Sequence, residues 1–287
     1  MKRMIIAVLL ISVVNVYAQE KSPPPASPPD TVYGWKNSLV AGLTLTQVAY
    51  RDWVQGGDNA LSWTFSADGK STMDKPETKW SNSYKFAFGQ ARLGSQGLRK
   101  TDDRIELETV LLYKAGLLVD PYAGATLKTQ FAKGYTYDAS GTGTEVSQFF
   151  DPAYLTQSAG VAYQPTKEVK TRLGLGLREV ITNKFNQYAD DPATTELEKT
   201  LVDGGFESVT NLDWPIDENL LLTSQLEVFA AFKKFDNPVL RNITSLTAKV
   251  SKYVVAIFTV QTIKEPQVSS KAQIKETIAL GLSYTIF

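Results

Sequence analysis

The side-by-side carboxylates Asp102-Asp103 and Asp190-Asp191 have the residue type and spacing from which general acid–base chemistry is built. Little else in the chain could join them. Its 287 residues include 0 His and 0 Cys. Every Ser-His-Asp or Cys-His nucleophile, every His/Cys zinc site and every disulfide is thereby removed. Both acidic pairs fall in segments read as loops, where carboxylates are more readily solvated or bound to cations than used for proton transfer. Thr142-Gly143-Thr144 occupies a turn, not a strand-to-helix junction, so it builds no phosphate loop. The expectation is no enzyme and no cofactor. With 30 basic and 30 acidic side chains there is also no electrostatic case for nucleic acid.

A second group of charges lies in segments of another kind. Arg104, Glu106, Glu108 and Lys114 alternate with Ile105, Leu107, Leu111 and Tyr113. Lys170, Arg172 and Arg178 alternate with Val169, Leu173, Leu175 and Leu177. Gln225 and Glu227 alternate with Leu226 and Val228, and Lys128 and Gln130 occupy a further segment. A period of two is the mark of strands with unlike faces. Segments of this sort occur near 36–50, 60–69, 79–91, 103–116, 121–132, 153–164, 168–182, 200–213, 218–232, 239–250, 253–263 and 272–287. Strands of soluble domains run to about 5–6 residues, and a membrane-crossing strand needs about 9–11. Only a closed sheet satisfies every backbone group in lipid. The fold class expected is therefore all-β: a transmembrane antiparallel β-barrel of about 12 strands (range about 10–14). Tyr50, Trp53, Trp80, Tyr113, Tyr122, Tyr163, Trp214, Phe232, Tyr253 and Tyr284 fit two interfacial girdles.

Loop lengths agree with an even-stranded barrel whose two ends share one side, since long and short connections alternate. Lys133–Pro152 and Asn183–Lys199 are long, whereas Pro165–Lys167 and Ser251-Lys252 are short. The exception is Lys70–Thr78, which is long where an inner turn is expected.

The ends place this barrel. Residues 1–18 carry a basic start at Lys2 and Arg3, an apolar Met4–Val14 and a small-residue ending at Ala18, the plan of a secretory signal peptide. Residues 19–32 form a Pro-rich linker that cannot build a helix or ladder. The barrel domain is then 33–287. The chain closes on a strand ending at Phe287, the kind of terminal strand that barrel-assembly machinery reads. Leu280, Leu282, Tyr284 and Ile286 share one face of it, and Phe287 falls on the other. The cell outer membrane is the expected location, with its lipid as a partner.

If the apolar faces meet lipid, Arg104, Glu106, Glu108, Lys114, Lys128, Lys170, Arg172, Arg178 and Glu227 line the lumen. A polar, charged lumen suits a small channel or a ligand-selective transport barrel for a small polar solute. The alternative is a lumen plugged by ion pairs, with the outer loops making structural or interaction contacts. About eight strands fill their own interior and about 16–18 leave a channel, so twelve does not choose. Two loop constellations are further candidates: Trp53-Val54-Gln55-Gly56-Gly57-Asp58-Asn59, and the charge cluster Arg99-Lys100-Thr101-Asp102-Asp103-Arg104 after the third strand.

The run from Leu43 to about Tyr113 resembles the domain-of-unknown-function 3078 family of exported Gram-negative proteins. The matching pieces are Leu45-Thr46-Gln47 with Trp53, Gly56, Gly57 and Asn59; then Trp80-Ser81-Asn82; then Arg99-Lys100-Thr101-Asp102-Asp103. Phe149–Leu155 is similar to the family's later Pro-Ala-Tyr strand entry. The resemblance implies an outer-membrane barrel and no established activity. It adds Trp53, Gly56, Gly57, Asp58, Asn59, Trp80, Asn82, Asp102 and Asp103 as candidate binding residues.

Overall fold

Alternating side chains become strands because a pleated backbone sends successive residues to opposite faces. In the computed structural model, which describes residues 33–50, 58–191, 193–269 and 271–286, this pattern yields fourteen strands. They are β1 (Gly34–Val48), β2 (Ala60–Asp74), β3 (Thr78–Leu93), β4 (Arg99–Tyr113), β5 (Asp120–Thr129), β6 (Gly134–Tyr137), β7 (Gly143–Ser147), β8 (Ala153–Tyr163), β9 (Val169–Ile181), β10 (Thr200–Pro215), β11 (Leu220–Ala231), β12 (Val239–Lys249), β13 (Val254–Lys264) and β14 (Gln273–Thr285). Twelve of them close an antiparallel barrel in the order β1-β14-β13-β12-β11-β10-β9-β8-β5-β4-β3-β2. The remaining pair, β6 and β7, is a separate hairpin in the connection between β5 and β8. The expected signal peptide, the Pro-rich linker, Trp53, Gly56, Gly57 and Phe287 lie outside the described residues.

All twelve expected segments are barrel strands. Two boundaries move by four residues or more. Lys70–Asp74 continues β2, so the inner turn is only residues 75–77 and the expected exception disappears; the alternation departs instead around β4, where the outer connection 94–98 is no longer than the inner connection 114–119. Arg99–Asp103 is the start of β4, not a loop, because a bulge opposite Gly89 and Gln90 absorbs Thr101 and lets pairing continue.

The outer surface is apolar. Leu107, Leu173, Leu175, Leu280 and Leu282 are exposed, and Ile278 is 85% exposed. In water such a continuous belt would be a liability, and in a bilayer it is the required solvent-facing surface. Trp35, Trp80, Tyr113, Tyr163, Trp214, Tyr253 and Tyr284 all stand exposed near the rim that carries the short turns. At the opposite rim Phe232 and Phe235 pack edge-on against Phe206. Tyr122 does not join a girdle: it is 5% exposed and points into the lumen, because its register partner Gly160 leaves room there. These features give the chain the architecture of an outer-membrane β-barrel.

Close strand approach is set by glycine at one place in particular. Gly160 on β8 and Gly174 on β9 are register partners. A Cβ on Gly174 would meet the Ala159 carbonyl oxygen, and the Tyr122 hydroxyl at 2.7 Å. Gly174→Val is expected to destabilise the barrel by about 1–3 kcal/mol, since overpacking against backbone cannot relax. A lower temperature for the shift between folded and unfolded migration on a gel would register it, and unchanged migration would contradict it.

Candidate functional site

Inward positions on the barrel strands carry the charges. At mid-depth five side chains close a ring. Glu106 of β4 lies 3.9 Å from Lys85 of β3 and 3.8 Å from Lys128 of β5. Lys85 donates to Gln225 Oε1 of β11 at 2.6 Å. Gln225 Nε2 donates to Glu227 Oε1 at 3.1 Å, and Glu227 pairs with Lys128. β3 and β11 are six places apart in a ring of twelve, so these contacts cross the lumen rather than follow its wall. Glu106 is only 5% exposed. A buried carboxylate is tolerable only when paired, and here it faces two ammonium groups.

Further polar layers lie on either side. Toward the inner rim Arg172 of β9 pairs with Glu108 of β4, and the Tyr122 ring lies 5.8 Å from its guanidinium. The Tyr122 hydroxyl is 3.3 Å from Ser158 Oγ, which donates to Glu207 of β10. Toward the outer rim Arg178 of β9 donates to Glu265 at 2.7 Å, and Arg241 of β12 approaches the same carboxylate at 3.6 Å. Both guanidiniums lie over the Tyr154 ring, at 5.2 and 5.0 Å from its centre. Glu265 follows β13 directly, so the start of the β13–β14 connection folds into the mouth. Between the middle and outer layers a cavity of about 40 Å³ remains, lined by Lys128, Tyr154, Arg178, Glu227 and Arg241 among others. That is space for a few waters at most.

Seven of the nine expected lumen residues therefore face the interior layers: Arg104, Glu106, Glu108, Lys128, Arg172, Arg178 and Glu227. Lys170 shares their face but stands exposed at the inner rim. Lys114 lies outside the lumen. It follows β4, pairs with Asp74 at 2.5 Å and donates to the Lys75 carbonyl at 2.6 Å, joining two inner turns. Lys85, Glu207, Arg241 and Glu265 were not among the expected site residues. The first three alternate with Phe86, Phe206 and Leu240, a signal of the same kind as the residues found. Glu265, in a connection, carries no periodic signal.

The family-motif candidates brace the scaffold. Asp103 accepts the Phe131 and Ala132 amides at 2.6 and 2.9 Å and the Lys100 ammonium at 2.8 Å, tying the β5 exit to β4. Asp102 faces the lumen and pairs with Lys275 of β14 at 3.3 Å. Trp80 donates to Thr109 Oγ1 at 2.8 Å and packs 5.7 Å from Trp35 at the inner rim. Asn82 donates to the Ser71 carbonyl at 3.4 Å. Asn59 accepts the Tyr50 amide at 2.7 Å, and its carbonyl accepts Gly94 N–H at 2.7 Å. Asp58 is exposed beside Gly94.

The long outer connections are joined by buried acid as well. Asp151, 2% exposed, accepts the amides of Asn183 and Lys184 at 3.1 and 2.7 Å. Glu145 of β7 pairs with Lys184 at 3.0 Å, and Tyr188 donates to the Val146 carbonyl at 3.2 Å. Asp190 and Asp191 act as turn caps: Asp190 accepts Glu198 N–H at 3.0 Å, and Asp191 accepts Ala193 N–H at 3.0 Å. Glu198 in turn accepts the Thr194 hydroxyl at 2.6 Å and the Asp191 amide at 3.1 Å, which pushes its carboxyl down to about 2 from an ordinary 4.5. A depressed folded-state value stabilises the loop above pH 4.5, and that contribution disappears as pH falls through about 2. Protection of the Asp191 amide and its neighbours, measured as exchange relative to the unstructured rate at each pH, is expected to fall across this window in wild type. Glu198→Gln should flatten the dependence, and a pH-independent wild type would contradict the assignment. Among the described residues no cluster of acidic side chains is arranged to hold a metal ion.

Residues 45–135 match the model of the family described as "Protein of unknown function (DUF3078)". No curated protein matches the chain. Among solved structures it is similar to the COG4313 outer membrane channel from Pseudomonas putida F1, at 10% identity over 91% of this chain and 99% of that one, with a TM-score of 0.41. The translocator domain of the autotransporter NalP from Neisseria meningitidis is similar at 12% identity over 89% and 90%, with a TM-score of 0.37. The CymD monoaromatic hydrocarbon channel is similar at 9% identity over 88% of each chain, with a TM-score of 0.34.

Proposed function

We propose that this protein is an outer-membrane barrel whose resting lumen is closed to ions, and which works through its outer-side surfaces rather than as an open pore. The observation that carries this reading is the ring Glu106–Lys85–Gln225–Glu227–Lys128 across the lumen, with a cavity of about 40 Å³ beside it. An ion crossing that layer would have to displace satisfied charges rather than bulk water. The braced outer connections, held by Asp151, Asp103 and Glu145, supply a preorganised surface. Outer-membrane lipid surrounds the barrel on this reading, assembly machinery engages β14, and no reaction is assigned to it.

A second reading is a gated channel for a small polar solute, favoured by the mixed charge of the interior. Planar-bilayer recording separates the two. Purified protein, shown to be inserted by heat-modifiable migration of the same sample, is expected to give no current steps and no uptake of small sugars into liposomes. A steady conductance would overturn the closed-lumen reading and favour the channel.

A further inference from the structure

The barrel is not equally zipped all round. β1 and β2 pair over their full length, from Gly34↔Asp74 to Val48↔Ala60. The closing seam between β1 and β14 pairs only from Val40↔Thr285 to Thr44↔Gly281. Beyond it β14 keeps its pairing with β13 as far as Gln273, and β1 keeps its pairing with β2, but the two edges part. Leu45 to Val48 and Gln273 to Ile278 are exposed, including the positions whose side chains point inward. Edges without partners are costly in lipid unless something occupies the gap.

Two observations show where the gap leads. Lys275, inward on β14, reaches Asp102 at 3.3 Å and the Thr101 carbonyl at 3.1 Å. Both acceptors belong to β4, four places round the ring through β1, so the outer half of β14 leans into the lumen. Against the β1–β4 wall lies a cavity of about 320 Å³, within the range of small-ligand sites. Its lining combines the small side chains Thr46, Ala60, Ser62 and Ala91 with Leu61 and Leu93 and two cations, Arg92 and Arg99, of which Arg99 is already stacked on the Tyr137 ring at 3.8 Å. Arg92 is exposed and has no carboxylate partner among the described residues.

We propose that the outer half of the β1–β14 seam is a lateral portal, through which an acyl chain of a phosphate-bearing lipid enters this cavity while Arg92 holds the phosphate. The small inward side chains suit a flexible hydrocarbon, and the cation stands at headgroup level beside the apolar belt. Because the mid-depth ring closes the lumen below, the site communicates with the bilayer and the outer side, not with the inner side. The proposal rests on the outer-membrane reading above.

Its test uses full-length protein in vesicles containing phosphatidylglycerol with a diazirine at the end of one acyl chain. After illumination, the labelled residues are located by mass spectrometry. Labelling of Ala60, Ser62 or Ala91 together with outward residues such as Phe65, Leu175 and Leu280 is the expected result. Labelling confined to outward residues would overturn the portal and leave the barrel in the membrane. Absence of label from the outward residues would overturn the outer-membrane reading itself. Ala91→Trp should abolish inward labelling by filling the cavity. Arg92→Gln, a surface change that does not threaten folding, should lower inward labelling roughly fivefold. The same inward labelling from a phosphatidylcholine probe with or without Arg92 would overturn the role given to the arginine.

Discussion

Truncating the mid-depth ring is expected to turn a silent barrel into a conducting one. The variant Lys85→Ala/Glu106→Ala/Lys128→Ala/Glu227→Ala removes the charges that cross the lumen from β3, β4, β5 and β11 while leaving no unpaired partner among them. Four long side chains then become methyl groups, and water can fill their space. If the intact ring presents a barrier of about 3 kcal/mol to an ion, its removal raises ion flux roughly a hundredfold. Single-channel recording reads this directly. Heat-modifiable migration shows that the variant still forms a barrel. The charge-conserving variant Lys85→Arg/Lys128→Arg keeps both cations beside Glu106 and Glu227 and should stay silent. A folded quadruple variant with no current would mean that the ring is not what closes the lumen.

Removing one member of the outer layer should act on stability. Arg178→Met takes away the 2.7 Å partner of Glu265, which is 3% exposed and then relies on Arg241 at 3.6 Å. Leaving a buried carboxylate undercompensated costs several kcal/mol, here about 3 kcal/mol. The expected readout is a lower urea midpoint for unfolding in detergent micelles. Arg178→Met/Glu265→Gln should recover most of the loss, because the stranded charge is gone. If the double variant is as weak as the single, packing of the guanidinium on Tyr154 matters more than the ion pair.

Much of the barrel was legible along the chain because alternation is a local property. Arg172 and Arg178 on one parity and Leu173, Leu175 and Leu177 on the other state which face meets lipid, whatever the neighbouring strands do. The same logic fails where parity carries no contrast. Lys70 to Asp74 has polar residues on both faces, so it resembles a turn although it extends β2. Asp102-Asp103 resembles a loop because a bulge interrupts the count just before it. The β6–β7 hairpin was hidden inside a long connection, although Tyr135 and Tyr137 two apart before Gly143 gave a usable sign.

Alternation, segment length and the parity of connections together determined the strand number, the lipid-facing side chains and the inward charges. Which inward charges meet was decided only by closure. Lys85 and Gln225 are 140 positions apart in the chain, and nothing in either segment names the other. They touch because twelve strands close with a given tilt and stagger, which places β3 opposite β11 at one height. The short β1–β14 seam is a tertiary fact for the same reason. Each strand reads as a full-length partner on its own, and only the closed ring reveals where two edges stop pairing.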